Sequence, residues 1–448
     1  MAKKTLIYGM GVSGKGVAKL LAADEENLVL YDKNENYDMC ALKKELGLPG
    51  AACITGKLKE EDLDDIAAVV LSPGVSAFCD DAEMARKKGI HISGEVEEAY
   101  KAAKGRLCAI TGTNGKTTTT ALTGEIMKAA FPDVYVVGNI GNSYAKEALN
   151  TKEDSVTVAE ISSFQLETTS LFHPEVSAVL NLTPDHLDRH KTFENYCLCK
   201  MRIALAQNEN EVCVINYDDE YLRTLARDIT PKKLYFSMKP LKEGVYFKEN
   251  AIFYNDSVSE VRIIGRDEIN LVGDHNVQNV MAAAAVSISM GVPIGTIADA
   301  IRSFKAVEHR IEFTCERRGV KYYNDSKGTN TDAAAKAVSA MNAPTVLIAG
   351  GYDKGADFTE WINGFGKTIK AMVLIGQTAE KIKECALKCG FTQIYMAKDL
   401  KEAVDICASL AQPGENVLLS PACASWGQFK NYEERGRMFK EFARALPE

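Results

Sequence analysis

The sequence predicts an α/β protein built as three domains in series, and three of its features point there. Short apolar runs alternate with amphipathic segments through the first part of the chain. A strand, a glycine-rich turn and a helix-forming stretch open a second unit at Leu107–Thr111, and a third set of apolar runs begins near Val307. Alternation of this kind builds parallel sheets, because a strand returns to pair in the same direction only by way of a crossover, usually a helix. The 448 residues also leave room for about three domains of ~150 residues each.

The elements follow in order. Thr5–Tyr8, Leu28–Tyr31 and Ala67–Leu71 read as strands, with Lys15–Ala23 as an amphipathic helix between the first two. Further strands are expected at Leu107–Thr111, Ser155–Ala159, Ser177–Leu180 and Glu211–Ile215. Phe193–Ala206 has a helical pattern. Lys242–Ile264 turns to shorter alternating runs, as an antiparallel insertion or edge would. Met281–Ser289 is an alanine-rich helix. The last unit carries strands at Lys321–Tyr323, Thr345–Ala349, Ala371–Ile375 and Val417–Leu419. The expected boundaries are 1–96, 97–306 and 307–448.

Apolar residues make up 46% and charged residues 25%, the balance of a globular protein whose cores close without disulfide or metal staples. The net charge of −8 disfavours bulk nucleic-acid binding and leaves room for a local basic pocket. The twelve cysteines are scattered, with no Cys-x-x-Cys pair, and Cys197 and Cys199 stand too close for zinc spacing. Free buried thiols in a reducing compartment are expected. MAKKTLIYGM lacks a signal-peptide apolar region, and no apolar stretch has the length of a membrane span, so a cytoplasmic location is expected. A monomer is the expected form.

The sharpest motif is Gly112-Thr-Asn-Gly-Lys-Thr-Thr118, between a strand and a helix. Backbone N–H groups of such a loop face one concavity, and the helix N-terminus adds positive potential for phosphate. Lys116 can reach the outer phosphates and the Thr117 hydroxyl can ligate Mg²⁺. The strict Walker A pattern fails, because Ile110 stands where its first glycine belongs. Gly9-Met-Gly-Val-Ser-Gly14, with Asp32 ending the next strand, fits a dinucleotide fingerprint. Alone it points to NAD, yet nothing further marks a hydride-transfer site.

Glu160 ends an apolar strand near the phosphate loop, where a carboxylate could hold Mg²⁺; a solvated acidic residue is the plain alternative. His186 sits in the polar cluster Asp185-His-Leu-Asp-Arg189, although a lone histidine is usually structural. Lys200 lies in a helical pattern and by itself reads as an ordinary exposed lysine. Asn276 and Asn279 could hydrogen-bond an adenine edge, or simply start a helix.

Thr111-Gly-Thr-Asn-Gly-Lys-Thr-Thr118 resembles the ATP loop of the Mur ligases and of their relative folylpolyglutamate synthase. The resemblance to the Mur ligases continues, in family order, over nearly the whole chain. It takes in Ala159-Glu-Ile-Ser-Ser-Phe-Gln-Leu-Glu167, Asn181-Leu-Thr-Pro-Asp-His-Leu-Asp-Arg189 and His309-Arg310. Asn324-Asp-Ser-Lys-Gly-Thr-Asn330 and Leu419-Ser-Pro-Ala-Cys-Ala-Ser425 complete the set. It implies a Rossmann-like N-terminal domain, a central P-loop-type ATPase domain and a Rossmann-like C-terminal domain. The implied reaction is ATP-dependent amide-bond formation through an acyl phosphate, joining D-glutamate to UDP-N-acetylmuramoyl-L-alanine in peptidoglycan synthesis.

By the same resemblance, ATP is held by Gly112, Thr113, Asn114, Gly115, Lys116, Thr117 and Thr118, with Asn276, Asn279, Arg310 and Asp325. Two Mg²⁺ ions are implied, one at Thr117 and Glu160, the other at His186 and at Lys200 carbamylated by CO₂, whose Lys-Met-Arg context matches the family lysine. Catalysis is implied for Lys116, Glu160, His186 and Lys200. Gly11, Val12, Ser13, Gly14, Asp32, Ser72, Pro73, Gly74 and Asn139 are implied around the UDP substrate, and Lys327, Thr329, Lys354, Ser425 and Tyr432 around glutamate. Trp426 follows Ser425, and Tyr432 stands where some members carry phenylalanine. The competing readings are an L-glutamate-adding variant, a folate-polyglutamylating ligase and a noncatalytic nucleotide-binding protein. The UDP-type domain ahead of the ATP loop argues against the folate enzyme, and joint retention of Lys116, Glu160, His186 and Lys200 argues against a noncatalytic protein.

Overall fold

A computed structural model describes residues 4–139, 142–353 and 355–448, apart from the side chains of residues 24–26. The first sheet has five strands: β1 (Lys4–Tyr8), β2 (Leu28–Asp32), β3 (Ala52–Thr55), β4 (Ile66–Leu71) and β5 (His91–Gly94). Its order is β3-β2-β1-β4-β5, all parallel. Chain direction across the sheet reverses between β1 and β4, which opens a crevice at their carboxyl ends. Leu6, Ile7 and Leu30 are wholly buried, as expected where helices cover both faces of a parallel sheet.

The second sheet holds β6 (Arg106–Thr111), β7 (Val134–Gly138), β8 (Val156–Glu160), β9 (Val176–Val179), β10 (Val212–Asn216), β11 (Lys232–Ser237), β12 (Gly244–Lys248), β13 (Ala251–Asn255) and β14 (Glu260–Gly265). The order is β14-β13-β12-β11-β10-β9-β6-β8-β7. It is parallel from β7 to β12 and antiparallel from β12 to β14, so the alternating stretch 242–264 extends one edge. Glu249 and Asn250, both at positive φ (49° and 58°), make the two-residue turn between β12 and β13. Both sheets lie in one compact unit, Met1–Ile269 with Gln278–Ser303.

Within that unit a buried carboxylate fixes the segment joining the two sheets. Glu97, on the helix Glu95–Ala102, accepts hydrogen bonds from the N–H groups of Ser170, Leu171 and Phe172 (3.1, 2.7 and 3.1 Å) and from the Ser170 hydroxyl (2.8 Å). Four donors on one carboxylate compensate its loss of water.

The other unit, Asn270–Val277 with Phe304–Glu448, holds the third sheet. Its strands are β15 (Glu312–Arg317), β16 (Val320–Asn324), β17 (Thr345–Ala349), β18 (Ile369–Leu374), β19 (Ile394–Met396) and β20 (Asn416–Leu419). The order is β15-β16-β20-β17-β18-β19, with only β15 antiparallel to its neighbour.

Each strand read from the sequence is present, within two residues at either end. Six others, β3, β5, β7, β11, β15 and β19, were not anticipated. Five of them are edge strands, where one side faces solvent and the apolar run is broken; β3, for example, is largely exposed. The alanine-rich helix starts at Asp274 rather than Met281, because its first two turns are mostly polar. The first helix is Val12–Leu20, earlier than the amphipathic pattern placed it, with Gly11 as its N-cap. Phe193–Ala206 is α-helical only to Met201 and tightens to a 3₁₀ turn at Arg202–Ala204. All twelve cysteines are unpaired as expected, but Cys40 and Cys53 are exposed rather than buried. Among the described residues no helix is long and apolar enough to cross a membrane.

Candidate active site

The phosphate-type loop joins β6 to the helix Lys116–Ala130, with Gly115 at positive φ (83°) as its N-cap. Neighbouring loops hold it on two sides. Thr113 N–H donates to the Asn181 carbonyl (3.0 Å), Asn114 N–H to Asn181 Oδ1 (2.8 Å), and the Tyr196 hydroxyl to Thr113 Oγ1 (3.0 Å). Thr117 and Thr118 are buried in the first helical turn. Asn279 Oδ1 lies against the loop, where a Cβ on Gly115 would come within 2.1 Å of it. Asn276, one helical turn earlier, donates to the Val272 carbonyl at 2.7 Å.

Two lysines converge on this loop. Lys116 Nζ donates to the carbonyls of Gly112 and Thr113, both at 2.8 Å. Lys200 Nζ donates to the same Gly112 carbonyl at 2.8 Å and lies 4.8 Å from the centroid of the Tyr196 ring. Lys200 is only 2% exposed, so the solvated role its surroundings in sequence allowed is corrected. Burial, and then the like charge of Lys116, hold its ammonium well below the ordinary lysine range. A neutral amine is the form that can add CO₂.

Glu160 ends β8 beside β6, in register with Ile110. It is 1% exposed; Oε1 accepts from Asn139 Nδ2 at 2.8 Å, while Oε2 is buried with no hydrogen-bond partner among the described residues. An orphaned, buried carboxylate oxygen is a hard donor of the kind Mg²⁺ takes. Gly138 makes this geometry possible: at φ 104° its Cβ would stand 2.2 Å from the Glu160 carbonyl. His186 caps the short helix Leu187–His190 in a left-handed conformation (φ 52°). Its half-exposed ring lies 4.7 Å from that of Phe164 and 3.5 Å from Asp185 Oδ2. No direct contact joins His186 to Lys200 in the described structure; His190 lies close enough to feel the charge of both.

The fingerprint residues line a cleft of about 460 Å³ at the carboxyl ends of β1 and β4. Gly11, Val12, Ser13, Asp32, Ser72, Pro73, Gly74 and Asn139 border it, joined by Ser143 and Gln165, which the sequence reading did not single out. Gly14 does not line it but permits the turn, since a Cβ there would stand 1.9 Å from the Gly9 carbonyl oxygen. Asp32 is committed to the loop itself, accepting from Met10 N–H (2.9 Å) and Asn34 N–H (3.0 Å).

In the other unit the implied glutamate residues leave the carboxyl ends of neighbouring strands. Lys327 and Thr329 follow β16, and Ser425 follows β20. Lys354 lies outside the described residues. Lys327 Nζ lies 5.5 Å from the ring of Tyr432, the first residue of the helix Tyr432–Arg444. Arg435, fully buried, ties these loops together and was invisible in the sequence. It donates to Ser326 Oγ (3.0 Å), the Ser326 carbonyl (2.8 Å) and the Cys423 carbonyl (3.2 Å), while the Ser326 hydroxyl donates to the Tyr432 carbonyl (2.8 Å).

Glu308, His309 and Glu312 cluster tightly enough to invite a metal. Asn324 Oδ1 accepts from Ser326 N–H, so Nδ2 faces His309 Nδ1 at 2.9 Å. That nitrogen is therefore the acceptor and Nε2 carries the hydrogen, leaving no lone pair for an ion. The Lys440 ammonium already pairs Glu308 and Glu312, at 2.6 and 2.9 Å. The cluster is an ion-pair knot.

Asp325, close enough to Arg310 to feel its charge, accepts from Ser420 Oγ at 2.7 Å and Ile311 N–H at 3.3 Å. Burial pushes its carboxyl up to about 7 despite Ser420 and Arg310. The unfolded chain releases this proton first, so the stability it contributes is complete below pH ~4 and is lost as pH rises to about 7. Urea unfolding of wild type and Asp325→Asn should show the wild type losing ground as pH rises from about 4 to about 7, and no further loss above that. A difference independent of pH contradicts this.

Family profiles match all three parts of the chain: a "Mur ligase MurD-like, N-terminal domain" over residues 3–94, a "Mur ligase middle domain" over 110–287 and a "Mur ligase, glutamate ligase domain" over 309–423. The chain belongs to the Mur ligase family. A UDP-N-acetylmuramoylalanine–D-glutamate ligase of Lachnoclostridium phytofermentans is 48% identical over 448 residues, covering 100% of this chain and 99% of the relative. One of the same name from Lachnospira eligens is 47% identical over 446 residues, covering 99% of each. Among solved structures, the UDP-N-acetylmuramate–alanine ligase of Thermotoga maritima has a TM-score of 0.61 at 18% identity, over 99% of each chain. The MurF ligase of that organism, in complex with ADP, has a TM-score of 0.62 at 16% identity, over 99% of this chain and 98% of its own. At those identities the likeness is one of fold.

Proposed function

We propose that this chain uses ATP to join D-glutamate to UDP-N-acetylmuramoyl-L-alanine, a step of peptidoglycan synthesis. The observation that carries the proposal is the meeting of Lys116 and Lys200 at the Gly112 carbonyl, in a unit that also holds the fingerprint cleft. Full-length similarity to relatives named for that reaction supports it. The functional domains we assign are 1–96 for the UDP substrate, 97–306 for ATP and 307–448 for glutamate.

The chemical difficulty is bringing an anionic carboxylate to an anionic triphosphate. The alanyl carboxylate attacks the γ-phosphorus, ADP leaves, and the acyl phosphate formed is then displaced by the glutamate amine with release of phosphate. In this reading Lys116 exchanges the Gly112 and Thr113 carbonyls for phosphate oxygens, where its charge offsets what accumulates during transfer. The loop N–H groups and the helix N-terminus act on the same oxygens. Thr117 and Glu160 would hold one Mg²⁺, and His186 with Lys200 as its carbamate a second; the ions supply charge neutralisation and orientation. Carbamylation joins the neutral Lys200 amine to the carbon of CO₂ and releases one proton. Asn139 keeps Glu160 Oε1 engaged, which leaves Oε2 as the ligating atom.

Gly11, Ser13 and the Ser72–Gly74 loop take the UDP end of the substrate. Lys327, Thr329, Lys354, Ser425 and Tyr432 take glutamate, two ammonium groups suiting two carboxylates. The test is phosphate release: it should require ATP, UDP-N-acetylmuramoyl-L-alanine and glutamate together. Release driven instead by a folate acceptor, or none with any acceptor, contradicts the reading.

A further inference from the structure

We propose that Arg189 is a positioning residue that locks the loop of the substrate cleft to the segment after Glu160 and to the ring that packs on His186, and so sets where the substrate's reacting end lies. The inference rests on reading the cleft as the UDP-substrate site. Arg189 ends the segment quoted for His186, but the sequence offers no partner for it.

Its guanidinium makes four hydrogen bonds. Nε and Nη2 form a fork on Glu167, at 2.8 and 2.6 Å, and Nη1 and Nη2 also donate to the carbonyls of Pro73 (2.9 Å) and Val75 (3.1 Å). The same group lies 4.0 Å from the centroid of the Phe164 ring, which also packs against the rings of His186 and His190. Both partners are largely withdrawn from solvent, with side chains 11% (Arg189) and 2% (Glu167) exposed. Glu167 Oε2 in turn accepts from Ala77 N–H at 3.3 Å, so the pair grips the 73–77 loop at both ends.

Pro73 and Val75 line the cleft, and Phe164 and Glu167 follow Glu160 in the chain. One planar cation therefore touches the cleft loop, the segment after Glu160 and the ring backing His186. A domain staple with no part in positioning has no reason to concentrate on these groups. Lysine cannot replace this arrangement, because a single ammonium cannot span a carboxylate fork and two carbonyls.

The test compares Arg189→Met and Arg189→Lys with wild type in full-length protein, reading KM for each substrate, ATP affinity by titration and the melting temperature. Arg189→Met should raise KM for UDP-N-acetylmuramoyl-L-alanine by about tenfold or more while KM for ATP stays within about threefold, as expected when only one substrate's placement is lost. Arg189→Lys should recover part of that KM, and it carries the same comparison if Arg189→Met does not fold. Parallel loss for both substrates, a lowered melting temperature alone, or an unchanged KM for the UDP substrate would overturn the inference. A wild type that does not turn over UDP-N-acetylmuramoyl-L-alanine would instead overturn the reading of the cleft.

Discussion

Lys116→Met should lower turnover by on the order of a thousandfold or more, the scale on which a single positioned cation acts in phosphoryl transfer. Methionine keeps the apolar stem and removes the ammonium, with its charge and its donors. The Lys116 ammonium rests on the carbonyls of Gly112 and Thr113, so it is held within the loop that is to receive the phosphates. The remaining loop amides should still bind nucleotide, with weakened affinity, because they are backbone groups and do not depend on this side chain. Single-turnover phosphate release, measured beside a nucleotide titration, separates the two effects. Turnover within about tenfold of wild type would remove Lys116 from the transfer step.

Lys200→Ala should cost on the order of a hundredfold or more in turnover with the fold intact, the scale for losing one preorganised electrostatic partner. Lys200 is buried beside the ammonium of Lys116, and both effects favour the neutral amine. If the amine works as its carbamate, what the variant lacks is a pair of anionic oxygens. Formate or acetate should then restore part of the activity by entering the space the side chain leaves. Rescue also separates this role from that of a plain ammonium, which a carboxylate cannot replace. Near-normal turnover in the alanine variant excludes the role, and a dead variant indifferent to both anions excludes the carbamate.

The phosphate loop could be read from spacing, most of the other candidate residues only from the resemblance, and what neither supplied shares a cause. The loop from Gly112 to Thr118 is local: its strand, its turn and its helix are contiguous, so residue order alone places Lys116 and Thr117. Glu160 was placed by the apolar strand that it ends. Lys200 is different, because a lysine in a helix reads by spacing as a surface residue; its role came from the resemblance alone, and its burial shows only in the packing of Tyr196 and the phosphate loop around it. Arg189 and Arg435 act on partners up to 116 and 109 residues away, which no local pattern encodes. The same holds for the fold. Strands buried on both faces announced themselves as apolar runs, whereas β3, β5 and β19 lie at sheet edges with mixed polarity.

The central claim is that this chain adds D-glutamate. Telling two enantiomers apart needs three fixed points around the α-carbon, here two carboxylates and the attacking amine. If Lys327, Thr329, Lys354 and Ser425 hold both carboxylates, as we propose, inversion moves the amine off the line to the acyl phosphate. A displacement of about 1 Å can cost on the order of a hundredfold in rate. The direct measurement is product formation from UDP-N-acetylmuramoyl-L-alanine and ATP with each glutamate enantiomer at matched concentration. The account predicts product with D-glutamate and little with L-glutamate, through turnover as well as affinity; equal rates, or a preference for L-glutamate, would contradict it.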